Sequence, residues 1–493
     1  MARGSRTYLL ARESGSIDLR SSTRLGIAPG QSSEFENESM ERDEIDLRGA
    51  AVGKLFRRFL LPTVLGMVFS AVFIITDGIF VGQGIGSDAL AAVNLVAPLF
   101  TLGTGLGLMF GMGGSVVASI ALAQGKRRTA QINVTQAAFV PTLLILLVSA
   151  AVILLRGPVL RLLGTPTELT AQAGEYLTWF TIFLAPLALF NILMFIVRLD
   201  GAPRFAMSCN IAAALLNIGL DYLFIFVFGW GLTGAAVATG IGYIVGSAAM
   251  LRYMFRRSRS LRFVPLKISR RSARLTLRNL GYMSYVGFPA LLSEGAISAL
   301  MVVGNFTFIR YVGKDGVAAY SIACYVFPII FMVYNGIVQS AQPIISYNYG
   351  AGEPLRAHRA FTLSLRAAAL CGVAVFGFTW LWGRGLVGLF LPPEAPAYAL
   401  AVAGLPYFAA GYPFFGINVA TIGYYQSIEQ GRLATALTVL RGIVLMIAGF
   451  LLMPRLLGVA GIWLAVPAAE AVESLLLALL LRRQRRRNNR FFS

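Results

Sequence analysis

Two stretches of this chain repeat each other without a gap at a spacing of 227 residues. Pro62, Leu65, Gly86, Asp88, Ala91, Ala92, Ser119, Gly125 and Ala130 return as Pro289, Leu292, Gly313, Asp315, Ala318, Ala319, Ser346, Gly352 and Ala357. The same spacing carries Gly231, Gly234 and Ala238 onto Gly458, Gly461 and Ala465. A chain duplicated in this way folds into two related halves. Composition decides the solvent. The 493 residues are 57% hydrophobic and 13% charged, with a mean hydropathy of +0.71. A soluble domain carries about 25% charged residues. The chain therefore reads as an all-α polytopic membrane protein, and its duplication points to a secondary transporter whose substrate path runs between the halves.

The hydrophobic pattern predicts twelve spans, near 59–81, 89–122, 131–155, 172–197, 206–228, 232–251, 281–309, 316–345, 360–382, 398–424, 433–453 and 459–480. Six spans per half is an even number, so the repeats are parallel, around an axis along the membrane normal. The net charge of +20 does not point to nucleic acid, because the basic residues sit in short connectors. One alternating set holds Lys54, Arg57 and Arg58; Lys126, Arg127 and Arg128; Arg198 and Arg204; the 252–280 segment; Arg356, His358 and Arg359; and the tail from Arg482. The other set is poor in Lys and Arg. The positive-inside rule makes the first set cytoplasmic, with both termini inside the cell membrane.

The resulting division is a polar, disordered cytoplasmic tail over 1–50, a first lobe over 51–251, a basic cytoplasmic linker over 252–280, a second lobe over 281–480 and a basic cytoplasmic tail over 481–493. Residues 1–39, ahead of Met40, are expected to be dispensable. The linker's spacing of Arg270, Arg271, Arg274 and Arg278 against Leu275 and Leu280 suits an amphipathic helix on the inner membrane surface.

Cys209, Cys324 and Cys371 lie in apolar segments without CxxC spacing, so neither a disulfide framework nor a metal site is expected. No GxxxxGK[ST], HExxH or GxSxG occurs, which disfavours ATP-driven and common enzymatic chemistry. Function then rests on the few acids inside spans: Asp77, Asp221, Glu294, Glu470 and Glu473. An ionisable group at membrane depth is a functional candidate by default. Asp77 and Asp221 fall in the outer halves of the first and fifth spans. Asn217 lies one turn before Asp221 on the same helix face. At the repeat spacing Asp77 maps onto Gly304 and Asp221 onto Ala448, so this pair is not duplicated. Low dielectric disfavours a bare carboxylate, so such a pair can take up a coupling proton. Glu294 is also unduplicated, its mate being Met67, and can attract a cationic substrate or sodium ion. Glu473, near the inner interface, is expected to be solvated or paired.

With these residues in place the chain resembles the multidrug and toxic compound extrusion (MATE) family, nearest its DinF/MepA-like branch. The resemblance is carried by TDGIFVGQGIGSDALAAVNLVAPLF at 76–100, RLDGAPRFAM at 198–207, LLNIGLDYLFIF at 215–226, GKDGVAAYSI at 313–322 and QPIISYNYGAGEP at 342–354. It implies two six-helix lobes around a central cavity, in a MOP superfamily fold. It also implies export of organic cations and amphiphiles in exchange for H⁺ or Na⁺. By motif the ion-coupling residues fall on Asp77, Asp221 and Asn217, and a helix-bending proline on Pro62. Where relatives often carry Gln before the first Asp, this chain has Ser70. No cofactor beyond the coupling ion, no nucleic acid and a monomeric state are expected. A lipid-linked oligosaccharide flippase of the same superfamily is the alternative; it would need several basic residues at membrane depth, where Arg366 and Arg441 are the main ones. A membrane-embedded enzyme is a third reading without a supporting motif.

Overall fold

The computed structural model describes residues 46–491 except Gly164 and Ile268. Most of the expected N-terminal tail, with the expectation that residues 1–39 are dispensable, lies outside the described residues. No strand occurs among those described. The helices are α1 (Val52–Gly84), α2 (Ser87–Ala123), α3 (Arg127–Leu154), α4 (Thr170–Ile182 and Leu184–Leu199), α5 (Pro203–Asp221, continued by a π-turn, Tyr222–Val227) and α6 (Gly231–Arg256). After them come α7 (Arg270–Tyr311), α8 (Lys314–Gly350), α9 (Pro354–Gly388) and α10 (Pro396–Ala409 and Tyr412–Ser427). The last stretch, Gly431–Val439, Leu440–Leu445 and Met446–Phe491, turns at non-helical Gly458, which divides it into α11 and α12. By length and apolarity nine of these are membrane spans, or eleven with each bent pair counted as one. Dividing the last at Gly458 is consistent with the twelve expected.

The duplication is visible in backbone geometry. α4 bends by 45° at Phe183, and α10 bends by 42° just at its repeat mate Ala410. Gly86 and Gly313, Gly125 and Gly352, and Gly231 and Gly458 are mates, and all six have positive φ. Only glycine enters that region without a Cβ clash, so these turns hold their glycines in both copies. The hydroxyl of Ser115 donates to Oε1 of Gln342, its own mate 227 residues on, at 3.2 Å. Two repeat-equivalent residues in contact place the pseudo-twofold axis between them, where α2 meets α8.

The halves are joined at the end carrying the basic connectors. α2 and α7 touch backbone to backbone there. A Cβ on Gly113 would overlap the carbonyl of Met283, and one on Gly287 would overlap that of Met109. Beside them Asn279 of α7 donates to Asn133 Oδ1 at 2.8 Å and Gln136 Oε1 at 2.6 Å, and Gln136 donates to Thr276 at 2.8 Å. The Thr276 and Asn279 bonds exist because α7 is longer than expected. Residues 270–280 do not form a separate surface helix. Ser269 caps the helix by accepting from Ser272 N at 3.1 Å, and α7 runs unbroken from there into its span. With no glycine or proline between Arg270 and Leu280 nothing stops it.

The remainder of the linker is strapped to the first half. Leu261, Phe263 and Val264 are buried. The Asp200 carboxylate accepts the backbone N–H of Ser260 and Leu261 at 3.0 Å each and of Arg259 at 3.3 Å, plus the Tyr253 hydroxyl at 2.9 Å. Gln131 and Arg127 of α3 donate to the Ser260 carbonyl. Asp200→Ala therefore removes the common acceptor, at a cost of about 1–3 kcal/mol. Amide exchange at residues 259–261 should accelerate and the melting temperature should drop. Unchanged exchange would show that the apolar contacts alone hold the strap.

Candidate functional site

The first-half site is built on one face of α5. Asn210, Asn217 and Asp221, seven and four residues apart, align on a 3.6-residue helix. Asn210 donates to the Gly66 carbonyl at 2.7 Å and to the Ser70 hydroxyl at 2.8 Å, tying α5 to α1 one turn past Pro62. Pro62 is buried, and α1 passes through it as one helix. Asn217 donates to Thr239 Oγ1 of α6 at 3.1 Å. Asp221 ends the regular helix, and the chain then widens into its π-turn, a distortion often found at functional sites. The turn is pinned to the end of α1. A Cβ on Gly84 would lie 2.6 Å from Ile225 and 2.9 Å from Phe226. Apolar clusters pack both ends of this half, around Ile196 and around Leu177, and leave the polar site between them.

Asp77 on α1 and Asp221 on α5 come within interaction range of each other, and Asn217 within range of Asp221. Asp221 is fully buried, and Asp77 is half-buried with Oδ1 inaccessible. The phenols of Tyr176 and Tyr243 lie within electrostatic range of the pair. Among the described residues no donor hydrogen-bonds Asp221 Oδ1 or Oδ2, or Asp77 Oδ1. Among the described residues no lysine or arginine pairs with either acid. Two facing carboxylates cannot both stay charged there without help, because an uncompensated buried charge costs several kcal/mol. A shared proton or a small bound cation supplies that help.

Asn217, Thr239, Tyr243 and Ser70 also form part of the wall of a cavity of about 370 Å³ that lies between the halves. The acids themselves do not line it. Its wall is mostly apolar, with phenylalanines and methionines, among them Phe73, Phe190, Phe331, Met194 and Met301, on several sides. Among the described residues, Glu294, from α7, is the one charged side chain in this wall. The structure thus brings Asp77, Asp221 and Asn217 together and sets Glu294 apart, in the cavity. A small neighbouring cavity of about 40 Å³ shares Glu294, Asn335 and Gln339 with it and reaches Arg441.

Two buried polar groups were not expected. Arg198, assigned by charge pattern to a connector, is buried, and its guanidinium hydrogen-bonds Gln339 across the halves. Helix α4 continues beyond the apolar stretch, which carries Arg198 under α8. The second group is a cluster on α10, α11 and α12. Arg441 Nη1 pairs with Glu470 Oε1 at 3.2 Å, and Asn418 donates to Glu470 Oε2 at 2.7 Å. Ser474 donates to Asn418 Oδ1 at 2.8 Å. Glu473, expected near the interface as a solvated or paired group, is instead fully buried with no donor to either oxygen. Its position one turn after Glu470 was the legible signal; the arginine that faces them lies on another helix.

The comparisons agree with this architecture. The MatE family model matches twice, over residues 62–223 and 289–451. The multidrug export protein MepA of Staphylococcus saprophyticus is 27% identical over 429 residues, covering 86% of this chain and 92% of its own length. MepA of Staphylococcus aureus is 26% identical over 427 residues, with the same coverage. Among solved structures, an outward-facing multidrug resistance MATE family transporter of the MOP superfamily superposes with a TM-score of 0.80 at 24% identity, over 89% of this chain and 96% of that one. A MOP superfamily transporter from Pyrococcus furiosus, whose binding pocket of reverse polarity suggests a different function, gives 0.79 at 23% identity over the same shares. With the family model seated once on each half, in step with the internal repeat, the chain belongs to the MatE family of multidrug efflux transporters.

Proposed function

We propose that this protein is an antiporter of the cell membrane that exports organic cations and amphiphilic drugs in exchange for H⁺ or Na⁺. The observation that carries this reading is the pair Asp77 and Asp221, in which Asp77 Oδ1 and both Asp221 oxygens are buried without a donor among the described residues. A proton or sodium ion shared by the pair cuts its charge from two to one; its departure leaves two like charges on α1 and α5, which repel. α1 also contacts α8 of the other half. A shift of α1 about Pro62 thus links ion occupancy to the contact between the lobes, and alternating access follows. The aromatic and thioether cavity wall suits flat amphiphiles of varied shape. Glu294 gives a cationic group one counter-charge. A flippase for anionic lipid-linked sugars is not favoured by a wall whose one charge is acidic.

Uptake of a fluorescent organic cation into everted vesicles tests this, with ΔpH and a Na⁺ gradient imposed separately. One of the two gradients should drive accumulation severalfold above the gradient-free level. Accumulation under neither gradient would sink the antiport reading. In the same cells, an impermeant thiol reagent should not reach cysteines introduced at residues 260 and 486; labelling from outside would reverse the expected topology.

A further inference from the structure

The cluster of Arg441, Glu470 and Glu473 holds two acids and one base, all buried in the second half. Glu470 is satisfied as a carboxylate, with Arg441 on one oxygen and Asn418 on the other. Arg441 is further held over the Phe415 ring at 4.8 Å. Glu473 is fully buried, and among the described residues no donor reaches either of its oxygens. The charges that act on it are Arg441, from α11, and Glu470, one turn back on α12. From α8 the phenol of Tyr334 lies by Glu470, with its hydroxyl committed to the Tyr412 carbonyl of α10 at 2.8 Å. From α7, Glu294 shares a cavity wall with Arg441. None of these groups supplies a second positive charge.

We infer that Glu470 and Glu473 share one exchangeable proton, so that the second half holds a proton-binding site separate from the Asp77 and Asp221 pair. With Arg441 charged and Glu470 ionised, a proton on Glu473 brings the buried charge to zero. Without it a net negative charge stays in the membrane interior. Sodium is the poorer ligand, because Arg441 already occupies the carboxylate it would coordinate. Two features connect the site to the transport path. Arg441 and Glu470 line a small cavity of about 20 Å³, and Arg441 also lines the one that shares its wall with the central cavity. Arg441 lies in a π-turn, Leu440–Leu445, on α11, the repeat mate of the α5 helix that carries the other π-turn beside Asp221. The positions are not repeat mates, since Arg441 maps onto Ala214. Each half has thus placed its own charged group at a distorted turn of the same span.

The inference draws on the transport reading only for its consequence; the proton is counted without transport. Infrared difference spectroscopy of the full chain in lipid at neutral pH reads the carbonyl stretch of protonated carboxyl groups, which ionised carboxylates lack. Glu473→Gln should remove one carboxyl equivalent from that band. Glu470→Gln should remove the same one, because Glu473 then ionises against Arg441. The double variant should lose no more than either single variant. The equivalent should persist in a chain carrying Asp77→Asn and Asp221→Asn. A band unchanged in both single variants means both acids are ionised and overturns the site. Loss of two equivalents in the double variant means both are protonated and overturns it as well. If Glu473→Gln does not fold, Glu470→Gln alone decides. Failure of the antiport reading would leave these counts untouched.

Discussion

Asp221→Asn should reduce gradient-driven export to the level of vesicles without the protein, while the variant still folds and inserts. An amide has nearly the size of the carboxyl group but cannot exchange a proton or neutralise a cation. Among the described residues no donor depends on the Asp221 oxygens, so the substitution leaves none of them unpaired. Asp77→Asn should have the same effect, or displace the pH dependence of export if Asp221 alone still cycles. Asn217→Ala should cost far less. Its amide bonds Thr239, a contact worth about 0.5–1.5 kcal/mol net, or roughly 2- to 10-fold. Glu294→Gln is the comparison on the other side of the cavity. It should weaken uptake of cationic substrates and leave the response to the gradient in place. Coupled export in both Asp variants, with export lost in Glu294→Gln, would move the ion site to the second half.

Gly113→Val and Gly287→Val should each nearly abolish transport at normal expression. In both cases the new side chain meets backbone of the opposite half, which cannot rotate away as a side chain can. Overpacking at such a contact costs about 1–3 kcal/mol. A cost of that size shifts a two-state equilibrium by roughly 5- to 150-fold. The state with the halves joined at the basic end should be depleted, and water should reach Ser115 and Gln342. Cysteine pairs placed across α2 and α7 at this end should crosslink in the parent chain and fail to do so in the variants. Efficient crosslinking with normal transport would show that the helices slide past the added methyl groups.

How much of this was legible beforehand varies by residue. Asp77, Asp221 and Asn217 stood out because apolar surroundings make every intramembrane acid conspicuous, and because the internal copy supplied a control in Gly304 and Ala448. Asn210 was equally readable by helical spacing, but an uncharged amide carries a weaker signal than an acid. Arg198 was misplaced because charge counting treats a residue at the edge of an apolar run as a connector. Whether a helix carries it under a neighbour depends on packing. Glu473 was misplaced for the same reason: depth along a span says nothing about which side of the helix meets protein.

By itself the sequence determined the twofold architecture, the membrane as solvent and the span in which each acid lies. These follow from periodicity, hydropathy and the 227-residue spacing, all of which are properties of the chain read in order. Only the tertiary structure decided which groups meet. Asp77 reaches Asp221 across 144 positions, Arg441 reaches Glu470 across 29, and Ser115 reaches its own mate across 227. Such meetings depend on how helices rotate about their axes and where they approach closely. The sequence specifies this only through the summed packing of all twelve, so no local stretch of residues contains it.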